Sequence, residues 1–443
     1  MKIIAKVGPA LQKLFGELAE TAGASSGVIQ RKRKFTAWSL ARTFILGYLA
    51  NPQATDEELA QLAVQMGVDV TPQAIDQRHT LKLVAFLKEL FSGATQVVVG
   101  SDRRLAPILE RFTNVILLDS STITLPDSMA EKFPGCGGGR GGGAAALKLQ
   151  TELDLRSGAV THVEVESGRS PDGASCRQAV RYGRGSLRIT DLGYFNVATF
   201  ADMTQAEEYF LSRLQFGTRV LRPDGEEVED LMAWLAQHLG SFVDQKIGLG
   251  KEQRLPCRLI AWRLPEEQAN RRRHKLRRDS QRKYGKEPSA ERLAWCDWTI
   301  MVTNVPMEKM TPEEAAVLYR ARWQVELLFK RWKSQDLVAV LRGSTDVRKM
   351  VGVWARLLAA LVQHWLMIAS AWGDPTKSLS KVCEAIRGFA NQLATFMDQP
   401  WALKGVLADL CRVVAKTCRR NKRSKTGTFE LLNDVRLLNF RLT

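Results

Sequence analysis

The chain has 443 residues, of which 64 are Lys or Arg and 47 are Asp or Glu, so its formal net charge is +17. A hydrophobic content of 45% with 11 Trp excludes wholesale disorder and suffices for about two to four structural units. So large a cationic surplus indicates a polyanionic partner, with nucleic acid first and an anionic membrane surface second.

Seven Cys without a C-x-x-C pair are typical of reduced thiols in a cytosolic protein, and the five scattered His lack zinc-site spacing. The residues after Met1 lack the apolar core of a signal peptide. Polar side chains interrupt the apolar stretch from Met350 to Trp372, which is typical of a buried helix. We therefore expect a cytoplasmic bacterial protein, nucleoid-associated when bound to DNA, with no membrane partner.

Residues 1–95 have helical periodicity throughout. Two short helices joined at Gly67, the second capped by Thr71 with Pro72 at its first position, form a helix-turn-helix pattern. An ordinary helical hairpin is the alternative. In the DNA-reading interpretation, the polar residues that face bases or phosphates are Gln73, Gln77 and Arg78.

From residue 96 to 216 the pattern changes to strands. Asn114 to Asp119 is an apolar run that ends in an acid, which predicts a buried central strand. A hairpin of two strands is predicted over 144–155 and 159–165, and a further strand over 186–191 ends in Asp191. We predict helices over 172–182 and 204–215. The Gly-rich run 135–143 lacks the ending of a nucleotide-binding loop and is interpreted as a connection, with Arg140 near a phosphate.

Residues 217–303 are basic and rich in predicted strands, notably 256–264 and 298–302. Between these strands, Arg271 to Lys286 holds nine Lys or Arg and one Asp. Such a cluster repels itself unless an anion lies nearby, which favours a nucleic-acid contact over a solvated helix. Trp298 is one of three Trp placed to stack on bases. The candidate DNA contacts are Arg271, Arg272, Arg273, Lys275, Arg277 and Arg278.

A helix is predicted over Tyr319 to Lys333, because Thr311 and Pro312 form a start signal and no Gly or Pro follows. On this helix Tyr319, Arg322, Glu326 and Lys333 fall within an arc of about 60°. A solvated amphipathic helix is the alternative. The chain beyond 346 is helical again and ends in a basic tail.

Three acids stand in order: Asp119 and Asp191 at strand ends and Glu326 on a helix. Converging carboxylates of this kind can hold two divalent ions about 3.5–4 Å apart. Oxygen ligands favour Mg²⁺ or Mn²⁺ over zinc. Asp127, Glu164 and Glu166 are competing candidates, which the residues alone do not exclude.

The spacing Tyr, two residues, Arg, three residues, Glu, six residues, Lys resembles the signature of the DDE transposases of the insertion-sequence-four family. The segments Leu118–Ser121 and Asp191–Phe195 are similar to the family's first and second aspartate segments. The resemblance spans about 110–345. It implies an α/β RNase H-like catalytic domain, a mixed five-stranded sheet with helices, interrupted by a strand-rich insertion and flanked by all-α N-terminal and C-terminal domains.

Five regions follow from these patterns: 1–95 as a helical DNA-binding domain, 96–216 as the first catalytic part, 217–303 as the insertion, 304–345 as the closing helix, and 346–443 as a helical region for dimerisation and DNA contact. The resemblance implies that Asp119, Asp191 and Glu326 hold two Mg²⁺ or Mn²⁺ ions. It also implies phosphate contacts for Tyr319, Arg322 and Lys333, joined by Lys330 on the same helix, and a flipped-base contact for Trp298.

The function implied is cut-and-paste transposition of an insertion sequence. The enzyme hydrolyses DNA at the transposon ends, passes through a hairpin intermediate and joins the 3′-ends to target DNA. The partners are double-stranded DNA, as inverted repeats and target, and a second copy of the chain in a synaptic homodimer. Two alternatives stay open at this stage: a nuclease of the same fold without strand transfer, and a non-catalytic DNA-binding regulator.

Overall fold

The structure of the protein, a computed structural model, describes residues 4–30, 34–102, 105–137, 144–238, 240–334, 345–421 and 426–437. The chain folds into two compact units whose segments alternate along the sequence. The helical unit comprises Met1–Arg103, Ser120–Ser170 and Gln324–Arg423, and the sheet unit comprises Arg104–Asp119, Pro171–Trp323 and Ser424–Thr443. The five regions inferred from the sequence stay a prediction. Residues 138–143, with Arg140, lie outside the described residues.

The helices of the described residues are, in chain order, α1 Ile4–Lys13, α2 Ala19–Ser26, α3 Ala37–Ala50, α4 Asp56–Gln65, α5 Pro72–Asp76, α6 Leu81–Ala94, α7 Pro107–Glu110, α8 Val197–Gln205, α9 Leu231–Ala236, α10 Glu266–Tyr284, α11 Ala290–Trp295, α12 Pro312–Ala321, α13 Trp323–Ser334, α14 Asp346–Ala371, α15 Leu379–Gly388, α16 Ala390–Phe396, α17 Pro400–Thr417 and α18 Thr428–Asn433. The strands are β1 Val115–Leu125, β2 Ala145–Asp154, β3 Val160–Ser167, β4 Leu187–Thr190, β5 Tyr209–Arg213, β6 Val220–Leu221, β7 Val243–Leu249, β8 Leu255–Arg263 and β9 Trp298–Thr303.

In the sheet unit the strands lie in the order β1–β4–β5–β9–β8–β7–β6. The pairs β1–β4 and β4–β5 are parallel, and the pairs from β5–β9 onwards are antiparallel. Strand β1 continues into the helical unit after Asp119, where β2 and β3 form an antiparallel hairpin. A mixed sheet with helices is therefore confirmed.

The helical unit is organised around α14, which packs against α3, α6, α15 and α17. Among the described residues α14 is the one helix long and apolar enough to cross a membrane, and its apolar window is wholly buried inside the fold. Its buried polar side chains have partners within the unit: the Arg356 Nε donates to the carbonyl of Pro52, and His364 Nε2 lies 2.9 Å from the carbonyl of Gly158.

Two predicted helices are wrong. Residues 172–182 form two short 3₁₀ turns, and the carbonyls of Gln178 and Val180 accept hydrogen bonds from Arg188 of β4. The Tyr182 N–H, which would bind the Gln178 carbonyl in a helix, donates to Glu208 instead. Residues 204–215 divide between the end of α8 and strand β5, since Glu207 has a left-handed φ of 56° that ends the helix.

Candidate active site

Two of the predicted acids lie side by side in the sheet unit. Strands β1 and β4 are parallel neighbours in which Leu118 pairs with Thr190, so Asp119 and Asp191 follow side by side where this pairing ends. Asp191 lies at the carboxyl end of β4 as predicted, whereas Asp119 lies within β1, which continues to Leu125. Adjacent strands are about 4.8 Å apart. Both side chains are partly buried, at the edge of a core that makes their charges less hydrated than surface carboxylates.

Arg322 and Tyr319 face these acids. The Arg322 Nη1 lies 3.1 Å from the Asp119 Oδ2, and its Cζ lies 5.8 Å from the centroid of the Tyr319 ring. Burial, helped by the Asp191 carboxylate, raises the pKa of Tyr319 to about 12. A phenol with that pKa is protonated at neutral pH and can donate a hydrogen bond. The sheet unit therefore brings together four of the predicted site residues.

The predicted single helix over Tyr319 to Lys333 is two helices. Helix α12 ends at Ala321, and the Arg322 N–H bonds the carbonyl of Tyr319, three residues back, which tightens the turn. Helix α13 begins at Trp323. The prediction was right about helical structure and wrong about its continuity. At the junction the Arg322 side chain is bound to Asp119.

The start of α12 is held by the predicted Thr311 cap and by one residue that the sequence did not indicate, Arg111. Glu314 accepts the N–H of Thr311 in a capping box, and it also receives both Arg111 Nη groups at 2.7 and 2.8 Å. Arg111 Nη1 donates further to the carbonyl of Lys309 at 3.0 Å. Arg111 lies just before β1, so these contacts tie α12 to the strand that carries Asp119. The capping box was visible in the sequence; the Arg111 contact had no local signal.

The other predicted site residues of this helical segment, Glu326, Lys330 and Lys333, belong to the helical unit. Glu326 lies in the first turn of α13 and is partly buried, Lys330 is exposed, and burial lowers the pKa of Lys333. Within the described ranges, no group of three or more His, Cys, Asp or Glu side chains is arranged to hold a metal ion. The oxygen donors of Asp119 and Asp191 suit Mg²⁺ or Mn²⁺. Glu326 as the third ligand stays a prediction.

The basic segment 271–286 lies mainly on α10, and its cations have two kinds of surroundings. Arg272 Nη1 donates to the carbonyl of Trp298 at 3.0 Å, and burial lowers the pKa of Arg272 to about 10. Arg273 is paired with Asp297. These two groups fasten α10 to the segment around β9. The other seven cations of the segment are exposed and available to a polyanion: Arg271, Lys275, Arg277, Arg278, Arg282, Lys283 and Lys286. Arg271 and Arg277 have glutamate partners, and Arg282 is paired with Asp279.

Trp298 is partly buried at the start of β9 and packs against the core of the sheet unit. Its role as a base contact stays a prediction. In the N-terminal segment, α5 ends at Asp76, so Gln77 and Arg78 follow the helix, and the Arg78 guanidinium lies 5.4 Å from the Phe35 ring. Gln73 and Gln77 are exposed.

A family model described as a transposase DDE domain matches residues 110–364, more than half of the chain. The transposase for insertion sequence element IS231B of Bacillus thuringiensis subsp. berliner is 28% identical over 76% of this chain and 74% of its own length. The transposase for IS1151 of Clostridium perfringens is 24% identical over 94% of this chain and 93% of its own length. The putative transposase InsL for IS186A of Escherichia coli K12 is 27% identical over 64% of this chain and 75% of its own length.

Proposed function

Because the chain belongs to the transposases with a DDE domain, we propose that it moves an insertion sequence by a cut-and-paste route with a hairpin intermediate. The family and its named relatives make it a DNA transposase, an enzyme that cleaves DNA in a metal-dependent way. The observation that carries the proposal is the placement of Asp119 and Asp191 on adjacent parallel strands with Arg322 bound to Asp119.

The carboxylates of Asp119, Asp191 and Glu326 would hold two divalent ions, Mg²⁺ or Mn²⁺, which lower the pKa of an attacking hydroxyl and stabilise the leaving oxygen of the phosphodiester when bound. Water attacks at the transposon end first. The freed 3′-hydroxyl then attacks the opposite strand, which forms the hairpin and releases the flanking DNA. A second water hydrolyses the hairpin and restores the 3′-hydroxyl, which attacks a phosphodiester of the target DNA and displaces a target 3′-hydroxyl.

The cationic and phenolic side chains bind and orient the DNA phosphates. Arg322 carries its charge permanently, so it can exchange the Asp119 carboxylate for a phosphate oxygen. Tyr319, protonated at neutral pH, donates rather than accepts a hydrogen bond. Lys330 and Lys333 are placed on α13 as further phosphate contacts; an anion next to Lys333 would offset the burial that lowers its pKa.

The fold proposed for the catalytic part is RNase H-like, with a five-stranded core of β1 to β5. Two features support it: the parallel β1, β4 and β5 in the sheet unit, and the antiparallel β2–β3 hairpin in the helical unit. Strands β6 to β9 would be the strand-rich insertion, and the helices before β1 and after α13 the all-α flanking parts.

We further propose that the exposed face of α10 and the N-terminal helices bind flanking duplex, and that two copies of the chain synapse two transposon ends. Trp298 would receive a flipped base at an unstacking cost of a few kcal/mol. A cytoplasmic, nucleoid-associated location follows from a DNA substrate and the charge of +17.

The test is cleavage of end-sequence DNA with Mg²⁺, comparing the wild type with Glu326→Gln. We expect cleavage to fall at least about 100-fold in the variant, because the loss of one acidic ligand disrupts the metal site. Glu313→Gln, which alters an acid in the first turn of α12, is the matched control and should cut normally. Undiminished cutting by Glu326→Gln would remove Glu326 from the site, and cut products that are never joined to target DNA would replace transposition by simple nuclease action.

A further inference from the structure

A cavity of about 660 Å³ lies in the sheet unit, against β7 and β8. Residues of both strands line it: Asp244, Lys246, Ile247 and Gly248 of β7, and Pro256, Cys257 and Arg258 of β8. Ile247 and Cys257 also belong to the core cluster of the sheet unit, so the floor of the cavity borders that core.

The walls of the cavity are fixed by a buried ion pair. Arg258 is paired with Asp244, and its Nη1 also donates to the carbonyls of Val305 and Met310 at 2.7 and 3.0 Å. These bonds hold the segment between β9 and α12 as one wall. The turn after β6 forms the opposite wall. The charge of Arg258 is neutralised, so the floor carries little net charge and the cavity is preformed.

The rim of the cavity is cationic. Arg222, Lys246 and Arg254 are exposed there together with one lining acid, Glu308. Arg222 is paired with Glu226, so the cations that can bind a ligand are Lys246 and Arg254. Neither Lys246 nor Arg254 has an ion-pair partner within the residues that the structure describes. Arg254 also has a φ of 42°, a left-handed conformation that is costly for a residue with a side chain.

Between the cations the lining is apolar and rigid. Pro223, Pro256 and Pro306 line the cavity together with Met307, whose side chain is exposed. A free inorganic anion would gain nothing from such a surface. A ligand that joins an anionic group to an apolar, C–H-rich body uses both the rim and the lining.

We propose that this cavity binds a sugar–phosphate segment of one DNA strand, with the phosphate on Lys246 and Arg254 and the deoxyribose against the prolines and Met307. The proposal rests on the function above only in taking DNA as the substrate. Four strand steps separate β4 from β7, roughly 19 Å at about 4.8 Å per step. For a duplex that runs across these strands, at about 3.4 Å per base pair, the contacted segment would lie about five or six base pairs from the cleaved phosphodiester.

The binding test uses the full chain and a duplex that carries the element's end sequence, with fluorescence anisotropy between 50 and 200 mM salt. The double variant of Lys246→Gln with Arg254→Gln should bind several-fold more weakly. Affinity falls as salt rises, and the plot of log affinity against log salt should become shallower by about 0.9 for each phosphate that the variant no longer neutralises. Lys251→Gln is the control for the loss of one cation: Lys251 is exposed in the β7–β8 turn that also holds Arg254, but it lies outside the cavity, and the effect of Lys251→Gln is compared with that of each single variant. Thermal unfolding of each variant checks the fold.

The location test uses photoreactive groups placed along the DNA backbone. Crosslinks to the peptide containing Met307 should be strongest about five or six base pairs from the cleavage position and disappear in the double variant. An unchanged salt slope in a folded double variant would overturn the proposal. Protection of this peptide by a free deoxynucleoside monophosphate, without protection by DNA, would also overturn it. Neither result bears on cleavage, which is tested separately at Glu326.

Discussion

Arg322 competes with a divalent ion for Asp119, and removing it should therefore tighten metal binding while cleavage declines. The Arg322 Nη1 and Asp119 Oδ2 are 3.1 Å apart, and the two side chains are only 12% and 15% exposed. At that distance the Coulomb attraction is about 1.3 kcal/mol at the dielectric constant of water and about 5 kcal/mol at an effective value of 20. Since about 1.4 kcal/mol is tenfold in affinity, the dissociation constant for Mn²⁺ should fall about tenfold or more in Arg322→Gln.

The assay is Mn²⁺ titration of the DNA-free protein, followed by electron paramagnetic resonance or calorimetry. Arg320→Gln serves as the control, because Arg320 is exposed in the last turn of α12, two residues before Arg322. Cleavage by Arg322→Gln should fall about 100-fold, as expected when one preorganised donor to a phosphate is removed. Unchanged or weaker Mn²⁺ binding in a folded Arg322→Gln protein would refute the competition.

Three further predictions concern stability. Arg111→Met removes the paired bonds to Glu314 and should lower the free energy of unfolding by about 1–3 kcal/mol in urea titrations. Gly158→Ala should lower the melting temperature, because Gly158 has a φ of 74° and an added Cβ would lie 2.4 Å from the Trp372 ring; an unchanged melting temperature would contradict this packing. Burial lowers the pKa of His364 from 6.5 to about 3, so between these values the unfolded chain binds a proton that the folded chain does not. Stability should therefore decrease by about 1.4 kcal/mol for each pH unit below 6.5, and pH-dependent unfolding of His364→Gln should show a weaker decrease.

Local sequence was sufficient wherever neighbours along the chain set the conformation. Thr311 with Pro312 marks the start of α12 through a cap and a first-turn proline. The apolar run before Asp119 and the short strand pattern before Asp191 mark buried strands. Local sequence signals failed where a residue outside the segment binds a backbone group that a helix would otherwise have used. The carbonyls of Gln178 and Val180 bind Arg188 instead of helical N–H groups, and this interaction cannot be read from residues 172–182 themselves.

The linear sequence alone determined which acids are present and in what order, and it placed a phenol and a guanidinium near the last of them. It also determined the net charge of +17. The register that puts Leu118 opposite Thr190, the break at Arg322 and the bond from Arg322 to Asp119 came from folding. The same holds for Arg111 on Glu314 and for the cavity beside β7. These features join residues that lie far apart along the chain. Their geometry depends on strand pairing and burial, and the sequence pattern contains no information on distances between such residues.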